Sequence, residues 1–134
     1  MLRPDVRRTV QVRDGPGYPE NPVVPFIRAT QDRVVLEIQR GCIRGCRFCQ
    51  AGYVYRPVRN RSRDLCADYC VRSCDDTGYQ EVTLSSLSTS DYRPLTELCD
   101  GLLEYCDPRN ININLPSLRA DGFSMGIMQR LQRV

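Results

Sequence analysis

At 134 residues the chain is long enough for one domain with its own core, but shorter than a complete α/β barrel, which runs to about 250 residues. With 41% apolar and 26% charged residues it is neither a disordered nor a fibrous chain, and no run approaches the ~20 apolar residues of a membrane helix. A net charge of +3 identifies no partner, yet residues 40–63 hold seven arginines and no acidic residue, leaving twelve basic against sixteen acidic residues elsewhere.

Residues 1–30 contain five of the nine prolines (Pro4, Pro16, Pro19, Pro22 and Pro25) and no sustained hydrophobic period. They read as an extended lead-in or linker ahead of a domain over residues 31–134. The opening "MLRPDVRRTV" is polar with no apolar stretch behind it, so the cytoplasm is the expected compartment.

From Arg33 the pattern becomes periodic. "RVVLEIQ" predicts a strand, "SRDLCADYCVRSC" a helix, "QEVTLS" a second strand, "RPLTELCDGLLEYC" a second helix and "NININL" a third strand. Pro94 falls in the first turn expected of the second helix with Asp91 upstream as a cap, and Asp107-Pro108 stops it. The alternation predicts an α/β fold with parallel strands. Each strand has one apolar face (Val34, Leu36, Ile38; Val82, Leu84; Ile111, Ile113, Leu115) and one mixed or polar face (Val35, Glu37, Gln39; Thr83, Ser85; Asn110, Asn112, Asn114). The apolar faces are expected to meet the helices. The other faces either line the lumen of a curved sheet or face solvent.

Between the first strand and the first helix lies "GCIRGCRFCQAG", where Cys42, Cys46 and Cys49 have C-x3-C-x2-C spacing. Fully extended, these residues span about 25 Å, so the loop has to curl for the thiols to converge, and Gly41 and Gly45 permit it. A structural zinc site wants four Cys or His ligands and a simple iron-sulfur cluster wants four cysteines. Only three are local and the chain has no histidine. The fourth ligand is then a distant cysteine, a carboxylate or a group foreign to the protein. Cys66, Cys70 and Cys74 recur every fourth residue of one predicted helix and Cys99 and Cys106 lie seven apart in the other, which suits a buried helical face, with a second metal or redox site as the alternative.

The cysteine spacing, the preceding strand and Phe48 just before the last cysteine resemble the signature of the radical S-adenosylmethionine (radical SAM) superfamily. "VVLEIQRGCIRGCRFCQAGYVYRPVRNRS", "EVTLSSLSTSDY" and "ININLPSLRAD" resemble the subgroup whose longer members carry a cobalamin-binding domain ahead of the barrel. The resemblance implies a partial (βα) radical SAM barrel: about three parallel strands with two to three helices, forming the N-terminal half of the barrel over residues 31–134. It implies that Cys42, Cys46 and Cys49 hold three irons of a 4Fe-4S cluster while S-adenosylmethionine chelates the fourth. Reductive cleavage of that cofactor gives a 5'-deoxyadenosyl radical.

Phe48, Ser85, Ser86 and Ser88 are the implied cofactor contacts, and an electron donor such as a flavodoxin or ferredoxin is the implied partner, with a second chain completing the barrel. The chain departs from the family where Ser85-Ser86-Leu87 stands in place of Gly-Gly-Glu, and in lacking the later strand–helix units. Cobalamin enters only through a domain absent from this sequence. The rival expectation is a noncatalytic iron-sulfur or zinc-binding remnant. The arginines are expected to bind the cofactor's carboxylate or an anionic substrate, or to pair with Asp64 and Asp68. Nucleic acid is not the expected partner, since the segment shows no aromatic–basic interleaving of RNA-binding type.

Overall fold

A computed structural model describes residues 21–122 and 125–131. In chain order the elements are β1 (Val34–Glu37), β2 (Gln39–Arg40), α1 (Ala51–Val54), β3 (Arg59–Asn60), α2 (Arg63–Thr77), β4 (Glu81–Ser85), α3 (Leu95–Cys106), β5 (Asn112–Asn114) and α4 (Met125–Leu131). β1, β4 and β5 form a three-stranded sheet in that order, parallel throughout, with Val35 opposite Thr83 and Thr83 opposite Asn114. β2 and β3 form a separate antiparallel ribbon. The architecture is mixed α/β, with four helices and a parallel sheet among the described residues.

The expected strands and long helices are present with shifted ends. α2 runs to Thr77 rather than stopping at Cys74, because Gly78 takes the left-handed conformation (φ 70°) and its N–H closes the last turn on the Cys74 carbonyl at 2.8 Å. At its start the Ser62 hydroxyl accepts from the Leu65 N–H, a cap worth about 1 kcal/mol. α3 begins after Pro94, which occupies the cap position itself, and no side chain caps it. Asp91 therefore does not cap α3, and its carboxylate is used elsewhere. The 3₁₀ turn Asp107–Arg109, containing Pro108, ends α3 as expected.

Val34, Leu36, Ile38, Val82, Leu84, Ile111 and Ile113 are buried against the α2–α3 layer, together with Leu98 and Leu102 of α3. Each fully buried aliphatic side chain of this kind contributes about 2 kcal/mol of transfer free energy. Cys66, Cys70, Cys74, Cys99 and Cys106 are all buried in the same core, as their helical spacing predicts. The opposite face of the sheet is open: Val35 is half exposed, Asn112 and Asn114 are exposed, and Thr83 and Ser85 are partly so.

Residues 21–30, with Pro22 and Pro25, contain no helix or strand and are almost entirely exposed. The rest of the expected lead-in, with Pro4, Pro16 and Pro19, lies outside the described residues. Among the described residues no helix is long and apolar enough to cross a membrane.

Candidate cluster loop

The loop after β1 is an excursion closed at its base by the β2–β3 ribbon. Gln39 Nε2 donates to Asn60 Oδ1 at 2.9 Å, and the Arg61 N–H donates to the Ile38 carbonyl at 3.0 Å. Gly41 begins the turn with φ 88°, and a Cβ there would sit 2.5 Å from the Tyr55 carbonyl oxygen and 3.1 Å from that of Pro57. Only glycine fits where the outgoing and returning chains pass this closely. Gly45 has no such role: a Cβ there would meet nothing within 4 Å, so the curl depends on Gly41.

Within the loop the Arg44 N–H points to Cys42 Sγ at 3.4 Å, and the Cys49 N–H bonds the Cys46 carbonyl at 3.1 Å, which curls the chain into α1. Cys42, Cys46 and Cys49 are free and half-buried. Phe48 is 93% exposed between them. Among the described residues no three His, Cys, Asp or Glu side chains are gathered to hold a metal ion. Closing three thiolates on a common point without a cation opposes their mutual repulsion, and metal binding normally supplies the free energy for that closure.

The donor set fits an iron-sulfur group. Three thiols share one short loop, a backbone N–H already faces one sulfur, and the other five cysteines are locked in the core. Among those five, Cys70 hydrogen-bonds Cys106 and Cys74, and with its burial this pushes its thiol far up. Burial pushes the Cys99 thiol up to about 12. Neither offers a thiolate ligand near neutral pH.

Two further loops leave the same, C-terminal end of the sheet, the usual place for ligand sites on parallel strands. After β4, the Ser85 carbonyl accepts from the Ile38 N–H at 3.0 Å, while its hydroxyl makes no hydrogen bond among the described residues. The expected contacts at Ser86 and Ser88 look different in three dimensions. Ser86 Oγ shares a 2.8 Å hydrogen bond with Thr89 Oγ1, and Ser88 is buried with its hydroxyl donating to Asp91 Oδ2 at 2.8 Å. Both hydroxyls are committed within the protein, whereas Leu87 is 43% exposed.

Sequence reasoning missed the clasp between these loops. Arg44 Nε donates to Asp91 Oδ2 at 2.9 Å and Arg44 Nη2 donates to Oδ1, tying the cysteine loop to the segment after β4. The hydrogen bond from Arg44, helped by that from Ser88, holds the Asp91 carboxyl below the usual carboxylate range. The partners lie 47 residues apart, and no local pattern joins them. The third loop, after β5, is stitched to the second by the Thr89 hydroxyl donating to the Pro116 carbonyl at 2.6 Å and the Arg119 N–H donating to Ser90 Oγ at 3.0 Å. Arg119 in turn makes a bidentate pair with Asp121 at 2.9 and 2.8 Å.

The arginine-rich segment is used largely for structure. Arg40 and Arg61 both reach Glu37, and Arg63 pairs with Asp64 at 2.9 Å as expected, while no ion pair joins the segment to Asp68 among the described residues.

No family model matches the chain, and no solved structure matches it either. It is 36% identical over 98 residues to an uncharacterized protein of Methanocaldococcus jannaschii, an alignment covering 73% of this chain and 21% of the relative. The chain thus spans about a fifth of that relative's length.

Proposed function

We infer that this chain is part of a radical SAM enzyme, the N-terminal portion of its barrel over residues 31–134, with Cys42, Cys46 and Cys49 holding a 4Fe-4S cluster and S-adenosylmethionine completing it. The observation that carries this reading is the division of the eight cysteines: three free and half-buried on one loop at the C-terminal end of β1, five buried in the core. Three protein thiolates leave one iron for a ligand from outside; Phe48 is exposed on the same loop, and Ser85 ends β4 at the same, C-terminal end of the sheet.

When bound, the cluster supplies the single electron that cleaves the sulfonium, delivered by a donor of the flavodoxin or ferredoxin class. The protein's own residues bind and orient. Gly41 sets the turn, and the Arg44–Asp91 clasp holds the cysteine loop against the β4 loop, with Ser88 fixing the carboxylate. The open polar face of the sheet supports a lumen that further strands would close, from a longer chain or a second one, since excluding water protects a radical from side reactions. Substrate and any cobalamin belong to those further parts.

A second reading, a noncatalytic iron-sulfur module, is favoured by the internal use of the Ser86 and Ser88 hydroxyls and by Leu87 at the position where the family places a carboxylate. Anaerobic reconstitution with ferrous iron and sulfide separates the two. The enzyme reading expects a brown protein whose reduced electron paramagnetic resonance signal changes on adding S-adenosylmethionine, and a colourless Cys42→Ala/Cys46→Ala/Cys49→Ala variant. A cluster blind to S-adenosylmethionine selects the second reading. Equal colour in the triple variant removes both.

A further inference from the structure

Of the seven arginines in residues 40–63, Arg40, Arg44, Arg61 and Arg63 are spent on Glu37, Asp91 and Asp64. Arg47, Arg56 and Arg59 make no ion pair among the described residues. Arg56 stacks its guanidinium 5.5 Å from the centre of the Tyr53 ring, and Arg59 Nη2 lies 3.5 Å from the Tyr55 carbonyl oxygen. Tyr53 is 56% exposed and Tyr55 46%, and the Tyr53 hydroxyl reaches back to the Gly45 carbonyl at 3.5 Å, so the ring leans on the middle of the cysteine loop. The surface therefore sets half-exposed tyrosine rings close to guanidinium groups that lack carboxylate partners, with Arg56 stacked on Tyr53, which the linear pattern had not suggested.

From this we propose that Arg47, Arg56 and Arg59, with Tyr53 and Tyr55, form a docking surface for single-stranded nucleic acid, a proposal that borders the cysteine loop but does not rest on the cofactor reading. Three guanidinium groups without carboxylate partners complement a polyanion, and they release counterions when phosphates replace solvent. An acidic protein would satisfy the same charges, but single-stranded nucleic acid answers both features with one repeating unit, a phosphate for each guanidinium group and a base face for each exposed tyrosine ring. Bases stack on such rings whatever their identity, which is how sequence-tolerant single-strand binders gain affinity. A duplex is disfavoured because the surface is a single helical turn with flanking loop, α1 (Ala51–Val54), and presents no helix long enough to lie in a major groove.

Fluorescence anisotropy of the full chain, prepared with and without iron and sulfide, tests this with labelled poly(U) and poly(dT) of about twelve nucleotides. Both strands are expected to bind alike in the two preparations, with a log–log salt slope of about −2 for three phosphate contacts. Tighter binding of the RNA than of the DNA strand supports the proposal and assigns a contact to the 2′-hydroxyl. The Arg47→Gln/Arg56→Gln/Arg59→Gln variant is expected to lose binding at least tenfold, and Tyr53→Leu and Tyr55→Leu about tenfold each. Circular dichroism of every variant shows whether it is folded, and a folded triple arginine variant that binds like the parent sinks the proposal. Poly-glutamate binding as tightly as poly(U), with both tyrosine variants unaffected, also overturns it and gives the surface to an acidic protein. Loss of the cluster with retained RNA binding overturns only the cofactor reading.

Discussion

Asp91 is placed by the sequence where a helix cap would sit, yet its carboxylate bridges two loops by accepting from Arg44 and Ser88. The hydrogen bond from Arg44 holds its pKa below the ordinary carboxylate range, so the folded form binds a proton less readily than the unfolded one. The stabilisation is fully present above the unfolded value and is lost as pH falls through the depressed folded value. The urea midpoint of the parent is therefore expected to fall below about pH 4, and the Asp91→Asn variant to start lower at pH 7 and show a shallower acid limb. Superimposable pH profiles for parent and variant refute the clasp. Glu37 adds to the acid limb: burial pushes its carboxyl up, but Arg40 and Arg61 outweigh burial and leave it below the ordinary range. In sequence neither carboxylate shows its full set of partners, because Arg44 reaches Asp91 from 47 residues away and Arg61 reaches Glu37 from 24.

At the scale of elements, the helical cysteines were legible because their positions follow the helix repeat, and a helix packed on a sheet buries one stripe. Cys66, Cys70 and Cys74 of α2 meet Cys99 and Cys106 of α3 in the core, while the loop cysteines, with no repeat to bury them, remain half-exposed. An aromatic disulfide reagent is expected to titrate three thiols quickly in the native protein and all eight only in denaturant. Cys70→Ala is expected to cost about 1–2 kcal/mol in urea unfolding while leaving the number of fast thiols unchanged. A fast count of eight in the folded chain contradicts the packing.

β1, β4 and β5 were equally legible from their two-residue alternation, whereas α1 and the β2–β3 ribbon were not. One helical turn and a two-residue pairing have too few local interactions to form alone, and the loop closure at Gly41 holds them.

At the scale of the molecule, the sheet ends at β1 on one side and β5 on the other, with no further strand beside either among the described residues. Two unpaired strand edges beside a half-exposed Val35 make a template for more strands. Sedimentation velocity of the 134-residue chain is expected to show association growing between about 5 and 100 μM, while a strictly monomeric profile over that range speaks against exposed edges.

The order of strands and helices, the apolar faces that make the core and the separation of three loop cysteines from five helical ones were determined by the sequence itself. The strand faces follow a two-residue repeat and the helical cysteines recur at four or seven residues, while the loop cysteines follow neither, and burial acts on those repeats wherever the segments pack. Only the tertiary structure decided that Arg44 clasps Asp91, that Ser86 and Ser88 spend their hydroxyls internally, that Gly41 rather than Gly45 controls the turn, and which arginines stay unpaired. Each depends on the distance between segments whose local patterns are independent, and that distance exists only once the chain has folded.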